Sequence, residues 1–215
     1  TGTVSGLRDT GGLVGSNSDP AVITSSHSTA TVSGTSSVGG LVGGNSGTIT
    51  MSCSKGVVDG DSHVGGLVGT NSAKMAPFPT RYAMDGRISR SYSASSVKGV
   101  SVVGGLVGAN FSKIAASFST GTVTGDEDLG GLVGINEWHR DVSRCFWDSD
   151  TSGEASSQAG IGLPTAEMQT AATFLDAGWD FIGETDNGTD DIWWIDEGHD
   201  YPRLWWELED DNMTN

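Results

Sequence analysis

The sequence is poor in several features, and each shortage excludes a class of protein. Only 5 prolines and 2 cysteines occur in 215 residues, so neither a proline-rich linker nor a disulfide-rich scaffold fits the chain. Charged residues make up 18%, a fraction too low for disorder driven by charge. No apolar run approaches the roughly 20 residues of a membrane-spanning helix, and we therefore expect no membrane insertion.

Basic residues are also scarce. The chain has 11 Lys and Arg against 27 Asp and Glu, which gives a formal net charge of −16 and argues against nucleic acid and anionic membranes as partners. Residues 1–146 hold equal numbers of acidic and basic residues, whereas in residues 147–215 Arg203 is the only basic residue. This shift predicts a domain boundary near Phe146, with an acidic C-terminal region over 147–215.

Glycine is abundant, with 33 residues, and much of it belongs to a repeat. The string Gly-Gly-Leu-Val-Gly-x-Asn occurs five times, starting at Gly11, Gly39, Gly65, Gly104 and Gly130. A Val-x-Gly element precedes each copy at a constant distance, and a Ser-x-Ser element recurs four residues after an isoleucine. Such a compound pattern, repeated in phase about every 26 residues, indicates a repeat architecture over residues 1–146.

Each repeat contains three short segments rich in β-branched residues, separated by turn residues and too short for helices. Three short strands of constant length would form one coil, and successive coils would pair in parallel about 4.8 Å apart. The sequence therefore predicts an all-β fold, a parallel β-solenoid (β-helix) of about five coils, with a small α+β C-terminal cap.

The solenoid register predicts which residues stack. The repeat leucines should form one apolar column, and the repeat asparagines should form an amide ladder at one corner. We expect the paired glycines to adopt positive φ and to let neighbouring coils approach closely. Arg90 and Arg144 should lie at a corner, because buried unpaired charges are costly.

One interval between repeats is longer than the others. Thirteen extra residues separate Asn71 from Ile88, which predicts an insertion loop over 73–86 on the flank of the solenoid. The loop is either a tolerated insertion or, over 74–86, a segment that contacts a partner.

The acidic C-terminal region loses the repeat. Its composition predicts a helix from Pro164 to Ala177 with Thr165 as N-cap, followed by a hairpin that turns at Asn187-Gly188. Its tryptophans would cover the open end of the solenoid, where unpaired strand edges invite aggregation. Alternatively they would stack on sugar rings; the candidate glycan contacts are Trp193, Trp194, Trp205 and Trp206.

Motifs of catalysis and cofactor binding are not found in the sequence. No His-Glu-x-x-His zinc motif, nucleophile elbow or phosphate-binding loop occurs, and we expect neither enzymatic activity nor a cofactor. The segment Asp148-Ser-Asp starts like a calcium loop, but its twelfth position is Ala159 instead of glutamate. An irregular calcium site remains an alternative, with Asp148, Asp150, Asp186 and Asp190 as candidate ligands.

The first repeat lacks its isoleucine and Ser-x-Ser segment. Val4 and Leu13 would therefore present an apolar edge with unpaired backbone groups. Two explanations are open: the edge meets a preceding part of a larger surface protein, or it docks head-to-tail with another copy of the chain and generates a filament.

The repeat resembles the GLUG-motif repeat, carried here by Gly-Gly-Leu-Val-Gly-x-Asn together with Ser-x-Ser and Val-x-Gly. Such repeats occur in large bacterial surface proteins, including adhesins. The resemblance implies a β-solenoid in an extracellular or cell-surface protein, without catalytic residues. We therefore expect a structural, adhesin-like rod, with a glycan-binding module that uses the cap tryptophans or the 74–86 loop as the alternative and a polysaccharide-degrading enzyme as a remote one.

Overall fold

A computed structural model describes residues 2–75 and 83–208, with the backbone alone described for 73–75 and 83–85. The internal contacts divide the chain into two units, residues 1–162 and residues 163–215. This division falls after the boundary expected near Phe146, because residues 156–161 pair with the last coil of the first unit.

The first unit is a parallel β-solenoid, as the repeat predicted. Equivalent strands of successive coils pair in parallel and in register, so Val58 lies between Val32 and Val97. The first sheet contains Thr3–Ser5, Arg8–Gly11, Thr31–Gly39, Val57–Gly65, Ser96–Gly104, Val123–Thr124 and Glu127–Gly130. The second sheet contains Val14–Asn17, Val42–Asn45, Val68–Asn71, Val107–Asn110 and Val133–Asn136.

Two further sheets complete each coil. The third contains Val22–Thr24, Thr48–Thr50, Arg87–Ser89, Lys113–Ala115 and Val142–Ser143. The fourth contains His27–Ser28, Cys53–Ser54, Tyr92–Ser93, Phe118–Ser119, Phe146–Asp148 and Ile161–Leu163. Each full coil thus has four strands, and the expectation of three was wrong.

The fourth strand arises at a corner that divides the isoleucine segment from the Ser-x-Ser segment. One residue per coil adopts positive φ there: Ser25, Met51, Arg90, Ala116 and Arg144. The left-handed conformation turns the chain between two extended segments. The corner positions expected for Arg90 and Arg144 are confirmed.

Two apolar layers fill the solenoid. One is built from leucine, isoleucine and valine columns, in which Leu41, Leu67, Leu106 and Leu132 are fully buried. The other is built from valines of the first sheet, including Val32, Val58, Val64, Val97 and Val103. Burial of one such side chain contributes about 1.5–3 kcal/mol, so the columns account for much of the fold's stability.

The motif glycines serve close packing. The expectation of positive φ was wrong for them, because the left-handed residues just before each Gly-Gly pair are Asp9, Ser37, His63, Val102 and Asp128. A Cβ on Gly66 would instead collide with the carbonyl oxygen of Gly105 on the next coil and with the Ser93 hydroxyl. Glycine is needed because backbone and side chains of neighbouring segments leave no space for a methyl group, and the expected close approach of the coils is confirmed.

The same contact explains the Ser-x-Ser element. Ser54 Oγ donates to the Gly66 carbonyl at 2.6 Å, and Ser119 Oγ donates to the Gly131 carbonyl at 2.7 Å. Each bond joins the fourth sheet to the Gly-Gly pair of its own repeat across the coil. A small hydroxyl side chain therefore faces a residue without a side chain, which keeps the coil thin at this point.

The predicted amide ladder is confirmed. Asn17 Nδ2 donates to Asn45 Oδ1 at 2.8 Å, and the same bond recurs through the next three coils at 2.8–2.9 Å, ending at Asn136. The inner asparagines are buried. Because each buried amide both donates and accepts along the column, the ladder removes the desolvation cost that isolated buried amides would carry.

The last coil departs from the repeat at both serines of Ser-x-Ser, where it has Cys145 and Trp147. Trp147 stands where the other coils have the second serine of Ser-x-Ser, and its indole packs against Gly131. The chain then continues the coil pattern, since Ser156 O accepts from Gly131 N at 3.1 Å and Ile161 N donates to Cys145 O at 3.0 Å. This end of the first unit is covered by its own chain.

The two cysteines lie in the core and form no disulfide bond, as their separation by three coils predicted. Cys53 shares a column with Tyr92, whose ring stacks on that of Phe118 with 4.9 Å between the centroids. Burial raises the pKa of the Cys145 thiol to about 12.

The insertion begins and ends as a hairpin. Ala73–Met75 and Ala83–Asp85 pair antiparallel, with Ala73 opposite Asp85. The proposed partner-contacting segment 74–86 lies mostly outside the residues whose side chains the structure describes.

The second unit contains short helices at Thr165–Met168 and Ala171–Asp176, and a further short helix, Ser149–Ser152, lies in the first unit. The single helix expected from Pro164 to Ala177 was wrong, because Thr170 is extended and its hydroxyl binds the Ala166 carbonyl. Pro164, not Thr165, is the N-cap residue.

The predicted hairpin is also wrong. The strand Trp193–Trp194 pairs antiparallel with Arg203–Leu204, whereas its bridge to Phe181 is parallel. Asn187 does not close a tight turn between two strands; its side-chain amide instead donates to the Leu175 carbonyl at 2.9 Å.

Among the described helices, none has the length and apolar character needed to cross a membrane.

Candidate binding surfaces

The calcium candidates have other roles in the structure. Asp148 is buried, and its Oδ1 accepts from the backbone N of Asp150 at 2.8 Å and of Thr151 at 3.0 Å. Its carboxylate therefore caps the helix Ser149–Ser152 instead of facing an open site.

Asp186 and Asp190 lie in a loop that two other carboxylates organise. Glu184 Oε2 accepts from Asp186 N at 2.8 Å, and Asp180 Oδ2 accepts from Asp190 N at 2.9 Å. Over the described residues, no group of three or more acidic, histidine or cysteine side chains is arranged to hold a metal ion.

The four candidate glycan tryptophans differ in exposure. Trp193 is only 1% exposed and packs against Trp179, with 4.6 Å between the ring centroids and the ring planes tilted by 32°, so it belongs to the core of the second unit. Trp194 and Trp206 are half-buried, and Trp194 lies under the guanidinium of Arg203. Only Trp205 is classed as exposed, at 38%.

Trp205 borders a depression on the surface of the second unit. Ile182, Asp190, Asp191 and Leu208 complete its lining. An aromatic ring beside two carboxylates can stack on a sugar ring while the carboxylates accept hydrogen bonds from its hydroxyl groups. Trp205 is the most accessible of the four candidate tryptophans in the described structure.

The first coil presents the expected apolar edge. Leu13 is 50% exposed, whereas the equivalent leucines of the other coils are buried. Val4 is half-buried and pairs with Val32 alone, on one side of its strand. The exposure of these side chains agrees with the expectation, and their role in assembly stays a prediction.

A further surface was missed by the sequence reasoning. We name as the ladder corner the segments that connect each ladder asparagine to the third sheet: residues 18–21, 46–47, 72–86, 111–112 and 137–141. These segments differ in length and composition, while the strands on both sides keep their register. The hairpin insertion is one of them.

In the last coil the ladder corner exposes a tryptophan. Trp138 is 70% exposed, and two more residues separate Asn136 from Val142 than separate the equivalent pair Asn110 and Ile114. Trp138 and His139 both adopt positive φ, at 53° and 50°. Two successive left-handed residues without glycine are strained, at about 1–3 kcal/mol each, and such strain concentrates at functional sites.

The ring of Trp138 has aromatic and cationic neighbours. Its edge meets Phe111 with 5.9 Å between the centroids, and the guanidinium carbon of Arg140 lies 5.3 Å from its centroid. The Nε atom of Arg140 is buried and has no hydrogen-bond partner in the described part of the chain. The last amide of the ladder positions this loop, because Asn136 Nδ2 donates to the Arg140 carbonyl at 3.1 Å.

Two more cationic residues begin neighbouring strands of the third sheet: Lys113 begins the strand next to Val142–Ser143, and Arg87 begins the strand one coil further away. Arg87 and Lys113 are exposed and pair in register on adjacent coils. Among the side chains that the structure describes, neither forms an ion pair. Among the acidic residues whose side chains the structure describes, Glu137 and Asp141 lie on this loop and are exposed, and Asp141 directly precedes Val142, the partner of Ile114, so it lies beside Lys113. The corner thus combines exposed aromatic surface with a local excess of positive charge in a strongly acidic chain.

The sequence already indicated this surface, because the segment between the ladder asparagine and the third sheet is longer in the last coil than in the coil before it. The repeat fixes the columns, so the additional residues between Asn136 and Val142 had to leave them, and they include a tryptophan. A comparison of segment lengths after each ladder asparagine would have located it.

Comparisons with known proteins give one partial match. A 61-residue stretch is 43% identical to a protein of Evansella cellulosilytica described as a Gly-rich membrane protein, over 28% of this chain and 6% of that protein. The chain therefore spans only a small part of this relative. No family model and no solved structure matches the chain.

Proposed function

We propose that the chain is a non-enzymatic structural rod of an extracellular or cell-surface protein, similar to the GLUG-repeat regions of adhesins. The observation that supports this role is the unbroken amide ladder, which runs with the apolar columns through all five coils. The strands of each coil pair with those of the coils directly before and after it, so repeat number sets the length of such a rod. Because the inward-facing side chains stack on their equivalents in the neighbouring coils, the solenoid should act as a rigid spacer.

The location and the lack of activity can be tested directly. Antibodies against the 215-residue chain should label intact, unpermeabilised cells of the source organism. Labelling that requires lysis would contradict a surface location. Incubation of the purified chain with polysaccharides should release no reducing ends, and steady release would show an enzyme instead.

Head-to-tail assembly through the edge at Val4 and Leu13 is part of the proposal. Sedimentation velocity over a range of concentrations should show growing oligomers that Leu13→Asp abolishes. A monomer at every concentration, without fibres in electron micrographs, would leave the rod as a spacer within a larger protein.

Glycan binding by the second unit is the alternative function, favoured by the depression at Trp205. Neutral oligosaccharides should then bind, and Trp205→Ala should remove the binding. Trp193→Ala is a poor test, because this buried ring stabilises the unit and its loss would unfold the site.

A further inference from the structure

We propose that the ladder corner of the last two coils, together with Arg87 and Lys113 at the starts of neighbouring strands of the third sheet, binds an acidic sugar of a polysaccharide; the corner contributes Phe111, Trp138 and Arg140. The site goes beyond the structural role proposed above and does not depend on it. It also differs from the Trp205 depression in position and in charge.

The aromatic part of the site is accessible and held in place. Trp138 leaves 70% of its surface exposed while Phe111 contacts its edge and Arg140 lies over its ring. A large apolar side chain that lies outside every packed column contributes little to the fold. An exposed indole face of this kind suits the apolar C–H face of a pyranose ring.

The charges select an acidic ligand. Arg87 and Lys113 pair in register, and like charges on adjacent strands about 4.8 Å apart destabilise a sheet. A carboxylate or sulfate placed between them would relieve this repulsion and accept charge-assisted hydrogen bonds. Arg140 supplies a third cation, and the nearby carboxylates Glu137 and Asp141 do not outnumber the three.

Other polyanions fit less well. The chain carries a net charge of −16, which repels a nucleic acid at long range, whereas a short acidic oligosaccharide meets mainly the local charges. An acidic peptide would satisfy the cations but would not use the open indole face. The aromatic and cationic groups together therefore favour an acidic carbohydrate.

Asn136 is a positioning residue for this site. Its amide both accepts from Asn110 and donates to the Arg140 carbonyl, so the ladder fixes the start and the end of the strained loop. At the end of the ladder, Asn136 Nδ2 has no further asparagine to bind and donates to the loop that exposes Trp138 instead.

Calorimetric titration of the whole chain with an oligogalacturonate, a heparin-derived hexasaccharide and a neutral galactan oligomer tests the proposal. We expect at least one acidic probe to bind, more weakly at high salt, while the neutral oligomer binds at least about tenfold more weakly, a difference of about 1.4 kcal/mol. Trp138→Ala should reduce the affinity about tenfold or more. Arg87→Gln with Lys113→Gln should reduce it and flatten its salt dependence.

The matched control is Trp205→Ala, which removes an exposed tryptophan from the other unit and should leave binding unchanged. Trp138→Phe keeps an aromatic ring and should retain part of the affinity, and circular dichroism confirms that each variant is folded. Equal binding of the neutral oligomer, displacement by polyglutamate as effective as by sugar, unchanged binding by Trp138→Ala, or binding of neither acidic probe would overturn the proposal.

Discussion

The inward-facing columns and the ladder corner obey different rules, although they belong to the same coils. The columns repeat leucine, valine, glycine and asparagine at every turn, because each side chain packs on the same type above and below. The corner holds two residues after Asn45, fifteen after Asn71 and a strained aromatic loop after Asn136. Stacking therefore constrains the columns and leaves the corner free to vary, as is typical of loops that carry binding residues.

This comparison predicts that the columns are sensitive to substitution and that the corner is tolerant. The largest effect is expected for Leu67→Asp, since it places an unpaired charge in a fully buried column. We expect a loss of about 4 kcal/mol or more in the free energy of unfolding, measured by urea denaturation followed by circular dichroism. Asp61→Ala, at an exposed position of the same coil, is the control and should cost under about 0.5 kcal/mol. Similar midpoints for both variants would mean that the columns are misassigned.

The next effect is expected for Gly66→Ala, which tests close approach as the reason for the glycine pair. The added methyl group would collide with the Gly105 carbonyl and the Ser93 hydroxyl, so neighbouring coils must separate locally. Overpacking of this kind costs about 1–3 kcal/mol, and the rigid backbone places this site near the upper limit. Gly2→Ala is the control, because a Cβ there would meet nothing within 4 Å. Equal stability of both variants would refute the packing role.

Asn71→Ala should destabilise the chain by about 2 kcal/mol, because it breaks the ladder in the middle. The buried Asn45 amide loses its Asn71 acceptor and keeps the Gly47 carbonyl, and the buried Asn110 Oδ1 loses its Asn71 donor and keeps Ser112 N. Asn136→Ala breaks only the end of the ladder, where the amide is half-buried, and should cost less. A smaller loss at Asn71 than at Asn136, in the same urea titration, would contradict a continuous ladder.

Much of the fold could be predicted from sequence, because stacking turns a local motif into a long-range contact. The leucine column and the amide ladder follow from spacing alone, and the corner positions of Arg90 and Arg144 follow from spacing together with the cost of burying an unpaired charge. The positive φ of residues such as His63 and Val102 could not be predicted, since these residue types rarely adopt it and the coil geometry imposes it.

The second unit was harder to predict because it has no repeat. Its loop between Glu184 and Asp191 depends on carboxylates that accept from backbone N–H groups, and such contacts override the turn signal of Asn187-Gly188. The exposure of individual tryptophans could not be predicted from the sequence either. Nothing in the sequence distinguishes Trp193 from Trp205, yet Trp193 is buried and Trp205 is accessible. Tryptophan content alone therefore could not separate a core residue from a surface residue.

Alkaline pH should weaken the columns through Cys145. The pKa of its thiol is raised to about 12 in the folded chain from an ordinary value of 9.0, so only the unfolded chain ionises between these values. Its stabilising contribution is complete below pH 9 and is lost as the pH rises toward 12. At pH 10 we expect a loss on the order of 1 kcal/mol relative to pH 8, measured by urea denaturation, that Cys145→Ala lacks. The same pH dependence in both proteins would exclude this thiol as the cause.

The smallest effect is expected at the ladder corner itself. Trp138→Ala removes a large apolar side chain that is 70% exposed and lies outside both apolar layers. The Trp138 ring contacts Phe111 and Arg140 over a small part of its surface, so little packing is lost. Alanine must adopt the same left-handed backbone conformation as tryptophan at this position, so the backbone contribution does not change. We expect a change under about 0.5 kcal/mol in the free energy of unfolding, measured by urea denaturation beside Leu67→Asp. A loss of about 2 kcal/mol or more would make Trp138 a packing residue and would remove the distinction between the corner and the columns. If the stability is unchanged and sugar binding is lost, the role of Trp138 is to recognise the ligand and not to pack the fold.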